Sequence, residues 1–298
     1  MTSPGARLRS LMNDHCVGLP GAFNGMVARL VAGAGFEGCY VSGAAVTASF
    51  GVPDVGMLTL NEFSNVIRQV ADSSGLPVLA DADTGFGETE MVGRTVVEYW
   101  RSGAAGLHIE DQVFPKRCGH LDGKQLVGVD VFQEKVAAAA RVRDSATGGE
   151  MVICARTDAA GVTGLDDAIA RARAYVDSGA DMIFPEGLAT EADFGRFAEA
   201  MRGYGSERGP YLLANMTEFG KTPIISFSRF EELGFDCVIW PVTTLRTAMG
   251  EVARMLADLK REGHVGSHLD RMQDRASLYA ALGYTPGEPW DFPGSVRG

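Results

Sequence analysis

One phrase recurs along the chain. Four times a helical stretch ends on a glycine-containing turn and runs straight into a short apolar segment. The turns are Ala34-Gly35-Phe36-Glu37 before GCYVSG, Ser102-Gly103-Ala104-Ala105 before GLHIED, Ser178-Gly179-Ala180-Asp181 before MIFPEG, and Leu233-Gly234-Phe235-Asp236 before CVIWPV. Glycine just past a helix supplies the left-handed residue that ends it. An apolar run of four to six residues then reads as a strand buried on both faces. Further strands are expected at Pro77–Ala80, Met151–Ala155, Tyr211–Ala214 and Pro223–Ser226. Segments of helical spacing lie between them: Glu88–Arg101, Asp130–Arg143 and Asp166–Asp177, the last capped by Thr163-Gly164-Leu165-Asp166. Eight β units with intervening helices in about 250 residues predict a (β/α)8 TIM barrel, with a doubly wound open sheet as the alternative.

No Pro/Gly/Ser-rich linker divides the 298 residues, so one domain over 1–298 is expected. From Arg246 the chain is helical again, through MGEVARMLADLKREG and HLDRMQDRASLYAALG. That is more helix than a barrel needs, and 264–298 reads as a helical extension ending in a Pro/Gly-rich tail. The 38 glycines exceed the ~7% norm without any low-complexity tract, as a repeat of tight turns requires. A net charge of −11 argues against nucleic acid and anionic membrane as partners. No run of about 18 apolar residues offers a membrane span, and no apolar stretch follows Arg7 and Arg9 as a secretory signal would need. Five scattered cysteines without a CxxC pair support neither a zinc ribbon nor a disulfide framework, so a reducing cytoplasm is expected.

Strand after strand ends in polar residues: Tyr40-Val41-Ser42-Gly43, Asp81-Ala82-Asp83, His108-Ile109-Glu110-Asp111, Arg156-Thr157-Asp158, Glu186 and Asn215-Met216-Thr217-Glu218. Barrel enzymes assemble their sites at this C-terminal rim. Asp81, Asp83 and Glu110 are hard oxygen donors suited to Mg²⁺ or Mn²⁺, and no His₂ or Cys₂ set competes for zinc. His264 and His268 have helical spacing but no acid as a third ligand, so an exposed helix face is expected there. In Lys116-Arg117-Cys118-Gly119-His120 two cations and an imidazole flank one thiol. Such neighbours draw a thiol pKa down from ~8.5, where the group can both give and take a proton. Cys39, Cys154 and Cys237 sit in or beside apolar strands and read as packing. The GxGxxG at Gly33–Gly38 precedes a strand instead of following one, so it is no dinucleotide fingerprint.

These residues resemble the isocitrate lyase/phosphoenolpyruvate mutase superfamily. The resemblance is carried by PGAFNGMVARLVAGAGFEGCYVSGAAV, LPVLADADTGFG, AAGLHIEDQVFPKRCGH, ARTDA, FPEG and NMTEFGKTP, in the family's order from Pro20 to about Arg246. Members that handle phosphonates, or that only decarboxylate or hydrolyse, generally lack the cysteine of the KRCGH loop. The resemblance implies an oxo-acid lyase that needs Mg²⁺, or Mn²⁺, and no organic cofactor. The reaction implied is cleavage of 2-methylisocitrate to pyruvate and succinate, in the methylcitrate cycle of propionate catabolism. Another branched substrate such as 2,3-dimethylmalate, or a non-catalytic carboxylate-binding barrel, are the alternatives.

By the same resemblance Asp81 and Asp83 hold the metal, with Glu110 in its second shell or through water. Cys118 protonates the succinate carbanion, Arg156 pairs with the pyruvate half, and Tyr40 and His120 complete the catalytic set. Ser42, Gly43, Ala44, Gly119, Glu186, Asn215, Thr217, Arg246 and Arg275 match substrate-contacting positions. Ala44 departs from the usual SGG turn. Phe184 and Ile239 stand where isocitrate lyases carry bulkier aromatics, which leaves room for a methyl group. The family also implies a last barrel helix exchanged between subunits, usually in a homotetramer.

Overall fold

The computed structural model describes residues 2–117, 123–220 and 222–291. Eight strands run in parallel: β1 (Val17–Pro20), β2 (Cys39–Val41), β3 (Val78–Asp81), β4 (Gly106–Glu110), β5 (Val152–Thr157), β6 (Met182–Pro185), β7 (Tyr211–Asn215) and β8 (Cys237–Trp240). Hydrogen bonding runs β2 to β8 in sequence order and then β8 to β1. The circle closes where Gly21 bridges Tyr40 and the Ala22 N–H donates to the Tyr40 carbonyl at 2.8 Å. This is the expected (β/α)8 barrel.

Eleven α-helices surround it among the described residues: α1 (Pro4–Asp14), α2 (Gly25–Gly33), α3 (Gly43–Ser49), α4 (Leu60–Ser74), α5 (Thr89–Arg101), α6 (Val129–Thr147), α7 (Leu165–Asp177), α8 (Glu191–Met201), α9 (Phe227–Glu232), α10 (Thr243–Glu262) and α11 (Arg275–Leu282). The glycine grammar holds. Gly35, Gly103, Gly179 and Gly234 all have φ between 87° and 102°, where a side chain would be strained.

One expected strand is wrong. Pro223–Ser226 joins no strand ladder among the described residues: Pro223 has no N–H, and Ile224 is 78% exposed. The eighth strand is β1, in which Gly18 and Pro20 dilute the apolar run and no glycine turn precedes it. Gly18 is needed there, because a Cβ would stand 3.3 Å from the Trp240 ring.

Side-chain alternation sorts the strands into two cores. Val17, Leu19, Tyr40, Leu79, Val152, Cys154, Met182, Phe184, Leu213, Cys237 and Ile239 fill the barrel with Leu8 and Met12 of α1, which plugs its N-terminal end. The alternate residues Val41, Val78, Ala80, Leu107, Ile109, Ile153, Ala155, Ile183 and Val238 pack outward against the helices.

The last long helix behaves differently. Of its 20 residues α10 buries only Leu245, while Met249, Val252, Leu256 and Leu259 are exposed on it. Beyond Gly263 the extension is a short 3-10 turn (Gly266–Arg271) and α11, not one continuous helix. Arg29 of α2 donates to the Leu282 carbonyl at 3.1 Å and holds α11 to the barrel. His264 and His268 therefore share no helix face. His268 is buried, with Nε2 2.9 Å from Asp258 Oδ2 and Nδ1 3.5 Å from Glu251 Oε1. No helix among the described residues is long and apolar enough to cross a membrane.

Candidate active site

The interior alternation, continued one step past each strand, builds a polar cup. Leu79 leads to Asp81 and Asp83, Gly106 to His108 and Glu110, and Cys154 to Arg156 and Asp158. Phe184 leads to Glu186, and Leu213 to Asn215 and Thr217. Because the side-chain period of a strand is two, the residues that fill the barrel below and those that face the cup above are the same series.

Tyr40, Ser42, Ala44, Asp81, Arg156, Glu186, Asn215, Thr217 and Arg246 all line this one cavity, as the sequence suggests. Phe184 and Ile239 supply its apolar wall. Gly43 stands beside it at the start of α3, where its N–H donates to Asp81 Oδ2 at 3.0 Å. A Cβ at Gly43 would lie 2.7 Å from that oxygen, so only glycine permits the contact. Cys118, Gly119 and His120 lie outside the described residues. Arg275 is the exception: it opens α11, exposed, and does not line the cavity.

Arg156 is the hub. Its Nε and Nη2 meet Asp158 Oδ2 and Oδ1 at 3.0 and 3.1 Å, Nε lies 3.2 Å from Glu110 Oε2, and Nη1 lies 3.4 Å from Glu186 Oε2. The guanidinium also sits 5.1 Å over the Phe184 ring. Its five donors in one planar fork pair bidentately with Asp158 while reaching two further carboxylates, a geometry that an ammonium does not offer. Asp158 is in turn bound by Lys124 Nζ at 3.0 Å, and Asn215 Nδ2 donates to Glu186 Oε2 at 3.0 Å.

On the opposite side Lys116 Nζ pairs with Asp54 and reaches Asp83 Oδ1 at 2.8 Å. At the mouth Arg246 Nη1 lies 3.2 Å from Glu218 Oε2 and 3.5 Å from Thr217 Oγ1, while Thr243 donates to the other Glu218 oxygen. With these cations folded onto carboxylates the cavity is tight, about 100 Å³.

Below Asp81 lies a buried pair that sequence reading missed. The Tyr40 hydroxyl and His108 Nε2 are 2.7 Å apart, with the rings stacked, and His108 Nε2 is 3.7 Å from Asp81 Oδ1. Burial drives the His108 pKa down to about 4 and the Tyr40 pKa well above its ordinary value. Near neutrality the imidazole is uncharged, and in the tautomer that carries its proton on Nδ1 the Nε2 accepts from the Tyr40 hydroxyl. Asp54 was missed as well, and Asp158 was read at a strand end but given no role. The period-two series would have reached His108 and Asp158, whereas Asp54 lies in a loop and is tied in only by Lys116.

The acids are placed for a hard cation. Asp81 is fixed at both oxygens, by the Gly43 N–H and by the Asp83 N–H at 2.9 Å. Glu110 Oε1 is buried with no hydrogen-bond partner among the described residues. Burial pushes Asp83 up to about 6 and Glu110 well above the usual carboxylate range, against the pull of Lys116 and Arg156. Among the described residues no three acid, His or Cys side chains converge into a closed cage. A hydrated Mg²⁺ needs only one or two direct carboxylates, so the donor set fits that ion. The other four cysteines, Cys16, Cys39, Cys154 and Cys237, are free and buried, and burial raises every one of their thiol pKa values, to about 12 for Cys16 and Cys39.

Known proteins place this arrangement. The profile of the family described as phosphoenolpyruvate phosphomutase matches residues 8–260. A probable 2-methylisocitrate lyase 1 of Corynebacterium glutamicum is 52% identical over 275 residues, covering 92% of this chain and 87% of its own. The crystal structure of a 2,3-dimethylmalate lyase, itself described as a PEP mutase/isocitrate lyase superfamily member, superposes with a TM-score of 0.87 at 38% identity, over 95% of this chain and 92% of its own. A phosphonopyruvate hydrolase solved in complex with oxalate and Mg²⁺ gives a TM-score of 0.81 at 28% identity, over 94% of this chain and 95% of its own. With a family profile spanning most of the barrel and relatives aligned over nearly its whole length, this chain belongs to the phosphoenolpyruvate phosphomutase family, within the PEP mutase/isocitrate lyase superfamily.

Proposed function

We propose that this chain is a Mg²⁺-dependent carbon–carbon lyase that splits 2-methylisocitrate into pyruvate and succinate, a step of propionate catabolism in the cytoplasm. One observation carries the reading. A single cavity brings the oxygen donor Asp81 together with the carboxylate-binding cations Arg156 and Arg246, against an apolar wall of Phe184 and Ile239, and Asp83 stands behind it on the lining residue Lys116. Its likeness to the Corynebacterium glutamicum relative supports the choice of substrate.

Asp81 and Asp83 would hold Mg²⁺, with Glu110 through water. Bound there, the ion lowers the pKa of the substrate hydroxyl and offsets developing negative charge. Every other task falls to side chains. A substrate of about −3 charge must enter a protein of net −11, so a local positive funnel is needed, and Lys116, Arg117, Arg156 and Arg246 line the cavity. One carboxylate of the succinate half takes the place of Glu218 on Arg246, beside Thr217 and Asn215. Arg156 orients the pyruvate half with a fork already fixed by Asp158. Tyr40 accepts the hydroxyl proton while passing its own to His108 Nε2, 2.7 Å away. The C2–C3 electron pair moves onto the succinate half, pyruvate forms as the ketone, and Cys118 delivers a proton to the carbanion.

We read the exposed apolar stripe of α10 as a face covered by a second copy, with the helix exchanged in a homotetramer. The substrate assignment is tested with a panel of 2-methylisocitrate, isocitrate and 2,3-dimethylmalate, following pyruvate or glyoxylate release. 2-Methylisocitrate should give the highest kcat/KM. The tight cavity favours a second reading, a smaller branched malate. Robust cleavage of 2,3-dimethylmalate with none of 2-methylisocitrate would establish that reading instead.

A further inference from the structure

A second and larger cavity, about 780 Å³, lies outside the barrel at its C-terminal rim. It is bounded by the segment before α4, the loop entering α5, the segment after β4, and the first turns of α6. That volume is in the range of pockets that hold small organic molecules. Its walls are apolar, with Met57, Phe86, Met91 and Phe114 facing in, and Phe114 is 61% exposed. Met57, Val113 and Val131 are exposed on the same lining, and an apolar patch left to solvent marks a binding surface.

Two cations lie among these walls. Lys135 is 8% exposed, donates to the Thr84 carbonyl at 3.2 Å, and has Glu88 at 3.7 Å. The Glu88 side chain is 81% exposed and well hydrated, so it offsets little of the buried ammonium. Arg94 lines the same cavity and forms no ion pair among the described residues. The lining therefore combines an apolar body with two cations and one solvated acid.

The cavity shares its wall with the active site. The Gln112 side chain holds Arg117 by both backbone groups, at 2.9 Å each. Lys116, between Phe114 and Arg117 in the chain, reaches Asp83. Gly56 lies so close to Phe114 that a Cβ would stand 2.3 Å from its ring, and Asp54 two residues earlier pairs with Lys116. Pressure on Met57 or Phe114 thus acts on the two segments that supply Asp54, Lys116 and Arg117 to the catalytic cavity.

We propose that this cavity is a second ligand site, for an amphipathic organic anion with an apolar body and one carboxylate or sulfonate, and that its occupancy is coupled to binding in the active site. The binding half of the proposal is independent of the lyase reading. The probe is 8-anilinonaphthalene-1-sulfonate, titrated by fluorescence into the intact protein with Mg²⁺. One saturable site per chain is expected. Arg94→Gln removes a charged hydrogen-bond donor from an exposed position and should raise the probe Kd about tenfold. Val131→Trp, at an exposed lining position, should narrow the cavity and weaken binding without unfolding the protein. Unchanged affinity in both variants overturns the site. Succinate separates the remaining outcomes. Coupled sites shift the probe Kd by a finite, saturating factor, and the probe shifts the succinate Kd equally. A Kd that climbs in proportion to succinate places the probe in the catalytic cavity and overturns the proposal, and no shift at all overturns the coupling.

Discussion

Replacing Asp158 by Asn tests whether Arg156 is held in place for the reaction. The change is nearly isosteric and removes one charge. The Asp158 backbone N–H still donates to Asp111 Oδ1 at 3.0 Å, so the loop keeps its anchor. Arg156 loses a bidentate partner at 3.0 and 3.1 Å, and Lys124 loses a carboxylate at 3.0 Å. Breaking a buried pair by removing one member costs about 3–5 kcal/mol. Glu110 and Glu186, at 3.2 and 3.4 Å, remain to neutralise the guanidinium, and the Asn oxygen can accept one bond. That leaves a net loss of about 2–3 kcal/mol, shared between stability and the positioning of Arg156. With half of that loss, about 1–1.5 kcal/mol, falling on positioning, and about 1.4 kcal/mol per factor of ten, kcat/KM should fall by about 5- to 12-fold, chiefly in kcat. Steady-state pyruvate release and urea unfolding on the same preparation separate the two shares. A variant with a wild-type urea midpoint and kcat/KM within about threefold of wild type refutes the reasoning. One that is less stable yet fully active when folded makes Asp158 a structural partner only.

Further outcomes follow from the same geometry. Phe184→Trp takes space from the apolar wall and should shift the kcat/KM ratio of 2-methylisocitrate to isocitrate down by about 10- to 200-fold, the worth of one methyl group; an unchanged ratio removes Phe184 from specificity. Glu218→Gln releases Arg246 from a half-exposed ion pair worth about 0.2–1 kcal/mol, so KM should fall about two- to fivefold with kcat unchanged. If Asp83 holds Mg²⁺ as proposed, the ion must displace the proton that this carboxyl retains up to a pKa of about 6. Metal affinity measured by calorimetry should therefore drop about tenfold per pH unit below that value and level off above it, and a flat profile from pH 5 to 7 contradicts this. Leu256→Asp puts a charge in the α10 stripe and should reduce the sedimentation coefficient if a second copy covers that face; an unchanged value leaves the stripe uncovered.

The barrel was legible because its grammar is local. A glycine that ends a helix at φ near 90° and an apolar run that follows can both be read within ten residues, as at Gly103 and β4. β1 escaped because it earns its place through partners far away in the chain, with Val17 and Leu19 in register with Cys237 and Ile239. The acids and Arg156 were legible because they end strands. His108 was read at a strand end but given no role, because its meaning is a contact with Tyr40 that only the barrel interior creates. Asp54 left no local sign at all: its meaning is an ion pair with a lysine far along the chain. Arg275 failed for the opposite reason, since α11 folds back on α2 and carries it to the outside. The single thiol that the mechanism needs, Cys118, was distinguished by charged neighbours in sequence, while the four other thiols are buried and held protonated.

The central claim is that this site breaks a carbon–carbon bond with a divalent metal. The most direct measurement is product stoichiometry from 2-methylisocitrate, with Mg²⁺, with a chelator, and with the Cys118→Ser protein. Pyruvate and succinate should appear in equal amounts with Mg²⁺ and not at all with the chelator, and Cys118→Ser should lose most of its turnover while still binding succinate. Wild-type protein that binds succinate with Mg²⁺ present but releases no pyruvate from 2-methylisocitrate would contradict it.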